Sequence, residues 1–150
     1  MYIYKVGVIG AGTMGAQIAE VVSYAGLPVV LADVSETLAK RGVDSVRAIY
    51  QARVDKGKMS AEQLEEKMLL VTSSAGLDGL KDVDLVIEAV SEDVKLKAQI
   101  FHELDRICPR GAILASNTSA LSISALGAAT KRPDKVLGLH FFNPAYVMRL

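Results

Sequence analysis

The sequence predicts an α/β fold in which helices cover both faces of a doubly wound, mostly parallel sheet. Three observations predict it. Short apolar runs rich in β-branched residues alternate with helical segments along the whole chain. Hydrophobic residues make up 51% of the composition, as expected of strands buried on both faces. The first strand also runs into a Gly-x-Gly-x-x-Gly turn that opens a helix. A chain of 150 residues is long enough for one domain with a sizeable core.

The first strand is read from Ile3, Val6, Val8 and Ile9, beginning at about Ile3. Glycines follow at 10, 12 and 15, and Ile18, Val21, Val22 and Ala25 then recur at helical spacing. Gly10 allows the tight turn out of the strand, Gly12 lets the backbone approach a pyrophosphate, and Gly15 lets the helix pack close to the strand. Phosphates would sit on the unpaired N–H groups at the helix N-terminus, where the dipole favours negative charge. The second strand, Val29 to Leu31, ends at Asp33. A carboxylate roughly 20 residues beyond the glycines is placed to accept the ribose hydroxyls of an adenosine. It would also repel a 2′-phosphate, and no arginine follows directly, so the cofactor is read as NAD rather than NADP. The plainer alternative is a glycine turn with Asp33 capping the next helix; capping by Asp33 or Ser35 is compatible with the nucleotide reading.

Glu36 to about Lys56 has helical character, with Leu38, Val43, Val46, Ile49, Tyr50 and Val54 along one side. Gly57 is a helix stop, and Ser60 with Gln63 forms a capping box for a second helix. This helical hairpin is inserted after the second strand. Its Lys40, Arg41, Arg47, Arg53 and Lys56 read either as a solvated face or as a surface for the phosphates of a substrate such as coenzyme A. The third strand is placed at Leu69 to Thr72, followed by a turn of helix or a loop at Ala75 to Leu80, and the fourth strand at Asp84 to Ala89. A helix starts in Val-Ser-Glu-Asp (90 to 93) and runs to about Ile107, with Val94, Ile100, Phe101, Leu104 and Ile107 as its apolar face. Pro109 and Gly111 end it. The fifth strand is Ala112 to Ala115, a short helix spans Leu121 to Leu126, and the sixth strand is Val136 to His140.

Bulk properties exclude several classes. Lys+Arg and Asp+Glu balance at 17 each, so no basic excess points to nucleic acid and no acidic tail to disorder. A single cysteine, Cys108, rules out an internal disulfide and fits a reducing compartment. No apolar run has the length of a membrane span. A first strand starting near Ile3 leaves no room for a signal or transit peptide, so the expected location is cytoplasmic. Two histidines and one cysteine, far apart, have no metal-ligand spacing, and no metal is expected.

Ligands of such a sheet bind beyond the carboxyl ends of the strands, where Asp33, Glu88 to Glu92, Ser116 to Ser119 and His140 to Asn143 all fall. With the adenosine end assigned to the first half of the sheet, the nicotinamide belongs near Asn117, Ser119 and His140. His102 reads as a solvated surface residue. A strand-end histidine alone is as readily structural as catalytic; beside a nicotinamide, His140 is favoured as the base that removes a hydroxyl proton as hydride leaves. Ser119 would hydrogen-bond a substrate oxygen or cap the following helix. Asn117 would bind the nicotinamide ribose or fix its loop, Glu92 would cap its helix, contact cofactor or both, and Ser122 and Ser124 suit capping or solvent. Cys108, at a helix end before a proline, reads as structural.

Gly-Ala-Gly-Thr-Met-Gly (10 to 15), Glu-Ala-Val-Ser-Glu (88 to 92), Ser-Asn-Thr-Ser (116 to 119) and Gly-Leu-His-Phe-Phe-Asn-Pro (138 to 144) together resemble the 3-hydroxyacyl-CoA dehydrogenase family, over essentially the whole chain. The resemblance implies a Rossmann-type NAD-binding domain whose glycine turn, with Thr13 and Met14, meets the cofactor. It implies that His140 is the catalytic base, that Ser119 contacts the substrate oxygen, and that Asn143 helps hold the nicotinamide and substrate region. Asp33 would bind the adenosine ribose, and Glu92, Lys97 and Asn117 would contact the NAD. The hairpin would face the coenzyme A of an acyl-CoA substrate, and the reaction would be oxidation of a (3S)-3-hydroxyacyl-CoA to the 3-oxoacyl-CoA. The family's histidine-orienting glutamate would fall two residues after Leu150. A helical C-terminal domain, which closes the cleft and makes a homodimer, would follow it. The chain is therefore expected to bind NAD but to turn over little substrate by itself.

Two other readings compete. Dehydrogenases of the 3-hydroxyisobutyrate and 6-phosphogluconate type share the glycine turn but rely on a lysine base, against which the His-Phe-Phe-Asn-Pro stretch argues. The other is a non-catalytic binding or structural protein that retains the fold.

Overall fold

The computed structural model describes residues 1–148 and 150. Among these, six strands form one all-parallel sheet: β1 (Val6–Ile9), β2 (Val29–Asp33), β3 (Val71–Ala75), β4 (Leu85–Glu88), β5 (Ile113–Ser116) and β6 (Val136–Gly138), in the spatial order β3-β2-β1-β4-β5-β6. The order reverses beside β1, which pairs with β2 on one side and β4 on the other. That is the topological switch point of a doubly wound sheet.

Five helices connect the strands: α1 (Thr13–Tyr24), α2 (Glu36–Asp55), α3 (Ala61–Met68), α4 (Val94–Ile107) and α5 (Ile123–Ala128). The strands' alternating side chains feed two cores. Val6, Val8, Val29 and Leu31 pack with Ile18, Val46 and Tyr50 beneath α1 and α2. Ile9, Val30, Val86 and Leu114 pack with Phe101, Leu104 and Leu126 beneath α4 and α5. Two buried faces explain why the strands read as continuous apolar runs.

The helical hairpin lies between β2 and β3 as expected, with its caps as read: the Ser35 hydroxyl accepts the Leu38 N–H, and Ser60 and Gln63 form the reciprocal capping box. Each such cap contributes about 1 kcal/mol. The buried stripe of α2 is Ala39, Gly42, Val46 and Tyr50, however, and Leu38 is exposed. Gly42 is there because an added Cβ would overlap Ala11 and Leu31.

Several boundaries differ from the sequence reading. β1 starts at Val6 rather than near Ile3, because Tyr4 and Lys5 give their N–H groups to the Asp84 carboxylate instead of to a strand. β3 begins at Val71 rather than Leu69: α3 continues to Met68, Leu69 caps it in the open, and the polar Thr-Ser-Ser segment pairs with β2 as an edge strand. β4 is trimmed to Leu85–Glu88, β5 shifts to Ile113–Ser116, and α5 starts at Ile123 because Ser122 caps it through the Ala125 N–H. β6 ends at Gly138, two residues before His140. Val94 is half exposed, and the buried face of α4 is Lys97, Phe101 and Leu104.

Candidate functional site

The carboxyl edge of the sheet is assembled from the glycine turn outward. Gly10 has φ +94°, and an added Cβ there would meet the Ala89 carbonyl. Gly15 packs so closely that a Cβ would overlap the Gly10 carbonyl, whereas nothing lies within 4 Å of the corresponding point on Gly12. The turn is therefore closed where helix meets strand and open where a phosphate would approach. No side chain caps α1, so the N–H groups of its first turn, starting at Thr13 and Met14, are left for a ligand.

Asp33, at the end of β2, is wired to this turn. One carboxylate oxygen accepts the Ala11 N–H at 2.8 Å and the other the Val34 N–H at 2.7 Å. Beside it is a cavity of 180 Å³ lined by apolar side chains of Ile9, Val34, Leu77, Val90, Leu96 and Ile100, with Asp33 among its walls. An apolar slot with one carboxylate beside an open glycine turn fits the adenosine end of NAD. A larger hollow of 470 Å³ on α3, lined by Ala61, Glu62, Glu65, Glu66 and Leu69, presents only carboxylates as charged groups and lies away from this edge.

Behind the carboxyl ends of β4 and β5 runs a buried polar chain. Glu88 accepts from the Ser116 hydroxyl at 2.6 Å, from the Lys97 ammonium at 2.6 Å and from the Val90 N–H at 2.7 Å. Lys97 also reaches the Val90 carbonyl at 3.2 Å and lies 3.4 Å from Glu92. Glu92 in turn accepts the Thr118 hydroxyl at 2.6 Å, and Thr118 accepts the Ala120 and Leu121 N–H groups. Lys97 is only 1% exposed, so its ammonium sits in the interior beneath Glu92. Glu92 does not cap α4; Asp93 does, accepting from Lys95 and Leu96.

The two segments that follow β5 and β6 are held together. The Leu139 N–H donates to the Ser116 carbonyl at 2.9 Å, and the Phe141 N–H to the Asn117 side-chain oxygen at 2.7 Å. These bonds bracket His140, whose exposed ring lies 4.9 Å from that of Phe142. Among the described residues no side chain hydrogen-bonds the His140 imidazole. Asn117 thus fixes its loop, one of its two readings. Ser119 is exposed, and the neighbouring helix is capped by Ser122 instead. Asn143 accepts from Gln17 at 3.1 Å, and the other end of the same Gln17 amide accepts the Ala145 N–H at 2.7 Å.

Gln17 is the residue that sequence reasoning missed. The available signal was a long polar side chain on a helix of small and apolar residues, where a buried amide needs partners. The hairpin's cations are also partly committed: Arg47 pairs with Glu65, Lys40 with Glu36 and Arg53 with Glu20. Burial pushes the Cys108 thiol up to about 11, which keeps it unreactive. Among the described residues no helix is long and apolar enough to cross a membrane, and no cluster of three His, Cys, Asp or Glu is placed to hold a metal.

Comparison with known proteins places this arrangement. The family model described as "3-hydroxyacyl-CoA dehydrogenase, NAD binding domain" matches residues 5–150. The chain is 45% identical over 148 residues to a glyoxysomal fatty acid beta-oxidation multifunctional protein of Brassica napus, covering 99% of this chain and 20% of that protein. It is 44% identical over 149 residues to a 3-hydroxybutyryl-CoA dehydrogenase of Mycobacterium tuberculosis, covering 99% of this chain and 52% of the relative. The crystal structure of the (S)-3-hydroxybutyryl-CoA dehydrogenase of Ralstonia eutropha superposes with a TM-score of 0.95 at 39% identity, over 99% of this chain and 53% of that one. The chain thus spans between a fifth and about half of the length of these relatives. With its glycine turn, its Asp33 and its six-stranded order, the chain belongs to the 3-hydroxyacyl-CoA dehydrogenase family, as that family's NAD-binding domain.

Proposed function

We propose that this domain supplies the NAD site and the catalytic base of an enzyme that oxidises a (3S)-3-hydroxyacyl-CoA to the 3-oxoacyl-CoA. The observation that carries the reading is the pair of hydrogen bonds that bracket His140 and tie it to the Ser116–Asn117 segment at the cofactor edge. NAD held at the glycine turn and Asp33 would supply the acceptor for the hydride that leaves the substrate's C3. His140 takes the proton of the 3-hydroxyl as the hydride leaves. Ser119 donates to the substrate oxygen, and Asn143, held by Gln17, lines the nicotinamide and substrate region. Asp33 accepts from the adenosine ribose; Glu92 and Asn117 face the cofactor, with Lys97 supporting them from the interior.

The acyl-CoA substrate would extend from His140 toward the hairpin. The greater length of the relatives supports a further domain beyond this one; in this reading that domain is helical, closes the cleft, orients the imidazole and forms a homodimer. A cytoplasmic location is proposed from the free, buried Cys108 thiol, and organelle fractionation would test it against the glyoxysomal alternative that the Brassica relative suggests.

The test is NADH oxidation with acetoacetyl-CoA, using residues 1–150 alone and the protein extended through the following domain. Activity confined to the extended form, and lost in its His140→Gln variant, is expected. NADH binding without activity in either form would instead favour a non-catalytic binding protein.

A further inference from the structure

One buried ion pair lies outside the chemistry described so far. Glu20, on α1, is fully buried, and Arg53 of α2 brings Nη1 within 2.8 Å of its Oε1. The contact lacks hydrogen-bond geometry: among the described residues, both carboxylate oxygens and Arg53 Nη1 are buried without a hydrogen-bond partner. Most buried charges are anchored by several donors, because an unanchored one is costly. Here the guanidinium rests on aromatic faces instead, 4.4 Å from the Tyr24 ring centroid and 5.7 Å from that of Tyr50.

Arg53 has a second environment. Its side chain is 23% exposed and lines a cleft of 270 Å³ with Ile49, Ala52, Lys56, Lys58, Tyr146 and Val147. Tyr146 and Val147 belong to the segment that Gln17 ties to α1, a few residues beyond His140. Three cations, Arg53, Lys56 and Lys58, over an apolar floor suit a phosphorylated group of a substrate.

The remaining charged or titratable groups around Glu20 do not neutralise it. Tyr50 spends its hydroxyl on Ser23 and the Glu20 carbonyl, Tyr24 offers its ring to Arg53, and Lys67 of α3 donates to the Tyr24 carbonyl. β1 carries no titratable side chain, and Asp33 of β2 is engaged at the opposite end of α1. Burial pushes the Glu20 carboxyl up to about 7, with Arg53 opposing, so its charge changes in the working pH range.

We infer that Glu20 is a positioning residue that sets how much of the Arg53 charge this cleft presents to a phosphate. Ionised, it holds the guanidinium against Tyr24 and offsets its field; protonated, it releases that charge to the cleft. The inference rests on the proposal that the substrate carries coenzyme A.

The test measures the Kd of coenzyme A by calorimetry, in the whole protein, between about pH 5.5 and about pH 8.5. Wild type, Glu20→Gln and Arg53→Gln are compared, with phosphate-free pantetheine as the control ligand. The phosphates of coenzyme A titrate alike for every variant, so the readout is the ratio between variants at each pH. Glu20→Gln should match wild type at the acid end and bind about threefold to tenfold tighter at the alkaline end. Arg53→Gln should weaken binding most at the acid end, and pantetheine should not distinguish the variants. A ratio that stays flat with pH, or one that persists with pantetheine, overturns the inference while leaving the acyl-CoA reading intact. Failure of wild type to bind coenzyme A at any pH removes both. If Glu20→Gln does not fold, the pH dependence of the Arg53→Gln ratio decides alone.

Discussion

The side-chain oxygen of Asn117 accepts the backbone N–H of Phe141 at 2.7 Å, from a loop 24 residues earlier in the chain. With the Leu139 bond to Ser116, it pins both neighbours of His140, while no side chain among the described residues hydrogen-bonds the ring. His140 is therefore positioned through its backbone. Asn117→Ala should lower kcat about 10- to 100-fold in the whole protein, because a small misplacement of a catalytic group is expensive. Asn117→Asp, which keeps the acceptor, should retain most activity. Steady-state kinetics of the two variants would check this.

The glycine turn separates a folding requirement from a binding requirement. A methyl group at Gly15 would overlap the Gly10 carbonyl, so Gly15→Ala should destabilise the domain by about 3 kcal/mol. At Gly12 there is open space, so Gly12→Ala should lose only about 1 kcal/mol, chiefly in capping α1. It should nevertheless weaken NAD binding by about tenfold or more, since the space it fills is where the proposed site would admit the pyrophosphate. Urea unfolding and NADH fluorescence titration distinguish the two variants.

Lys97 and Glu88 form a buried pair whose oxygens are fully engaged with Ser116 and the Val90 N–H. Lys97→Met would leave Glu88 charged and without its cation, and should cost about 3–5 kcal/mol in chemical denaturation. It should also loosen Glu92 and the Ser116–Ser119 loop. Hydrogen exchange at Thr118 to Leu121 is expected to quicken, and unchanged protection there would count against the network's role in holding the loop.

Glu20 should make stability fall as pH rises. Its carboxyl is raised from 4.5 to about 7 in the folded state, chiefly by burial. Below 4.5 both folded and unfolded chains carry the proton. Between 4.5 and about 7 the unfolded chain ionises while the folded one keeps its proton, so stability is lost across that window and levels off above it. The loss amounts to about 3 kcal/mol. Glu20→Gln should flatten that part of the profile and be the more stable protein above pH 7; urea midpoints measured across the window would check it.

Much of the architecture was legible because it is local. Ser35, Ser60 and Gln63 cap their helices through partners three residues away, and the glycine turn announces itself by spacing alone. The errors fall where local preference is overruled. Leu69 and Leu70 look like strand residues but lie at the close of α3, while Ser73 and Ser74 form strand because β2 offers them its edge. His140 reads as the end of β6, yet it stands beyond the last paired residue, held by bonds from β5's loop.

The sequence by itself determined the fold class, the NAD turn with Asp33, and the four polar clusters at the strand ends, because each depends on periodicity or on spacing within one βαβ unit. Only the tertiary structure decided which of those side chains meet. Gln17 reaches Asn143 and Ala145 across more than 120 residues, Lys97 is drawn inward to Glu88, and Arg53 turns from the hairpin surface to Glu20. Such partners are set by the packing of helices on a twisted sheet and by the need of every buried polar group for a counterpart, neither of which leaves a local pattern in the chain.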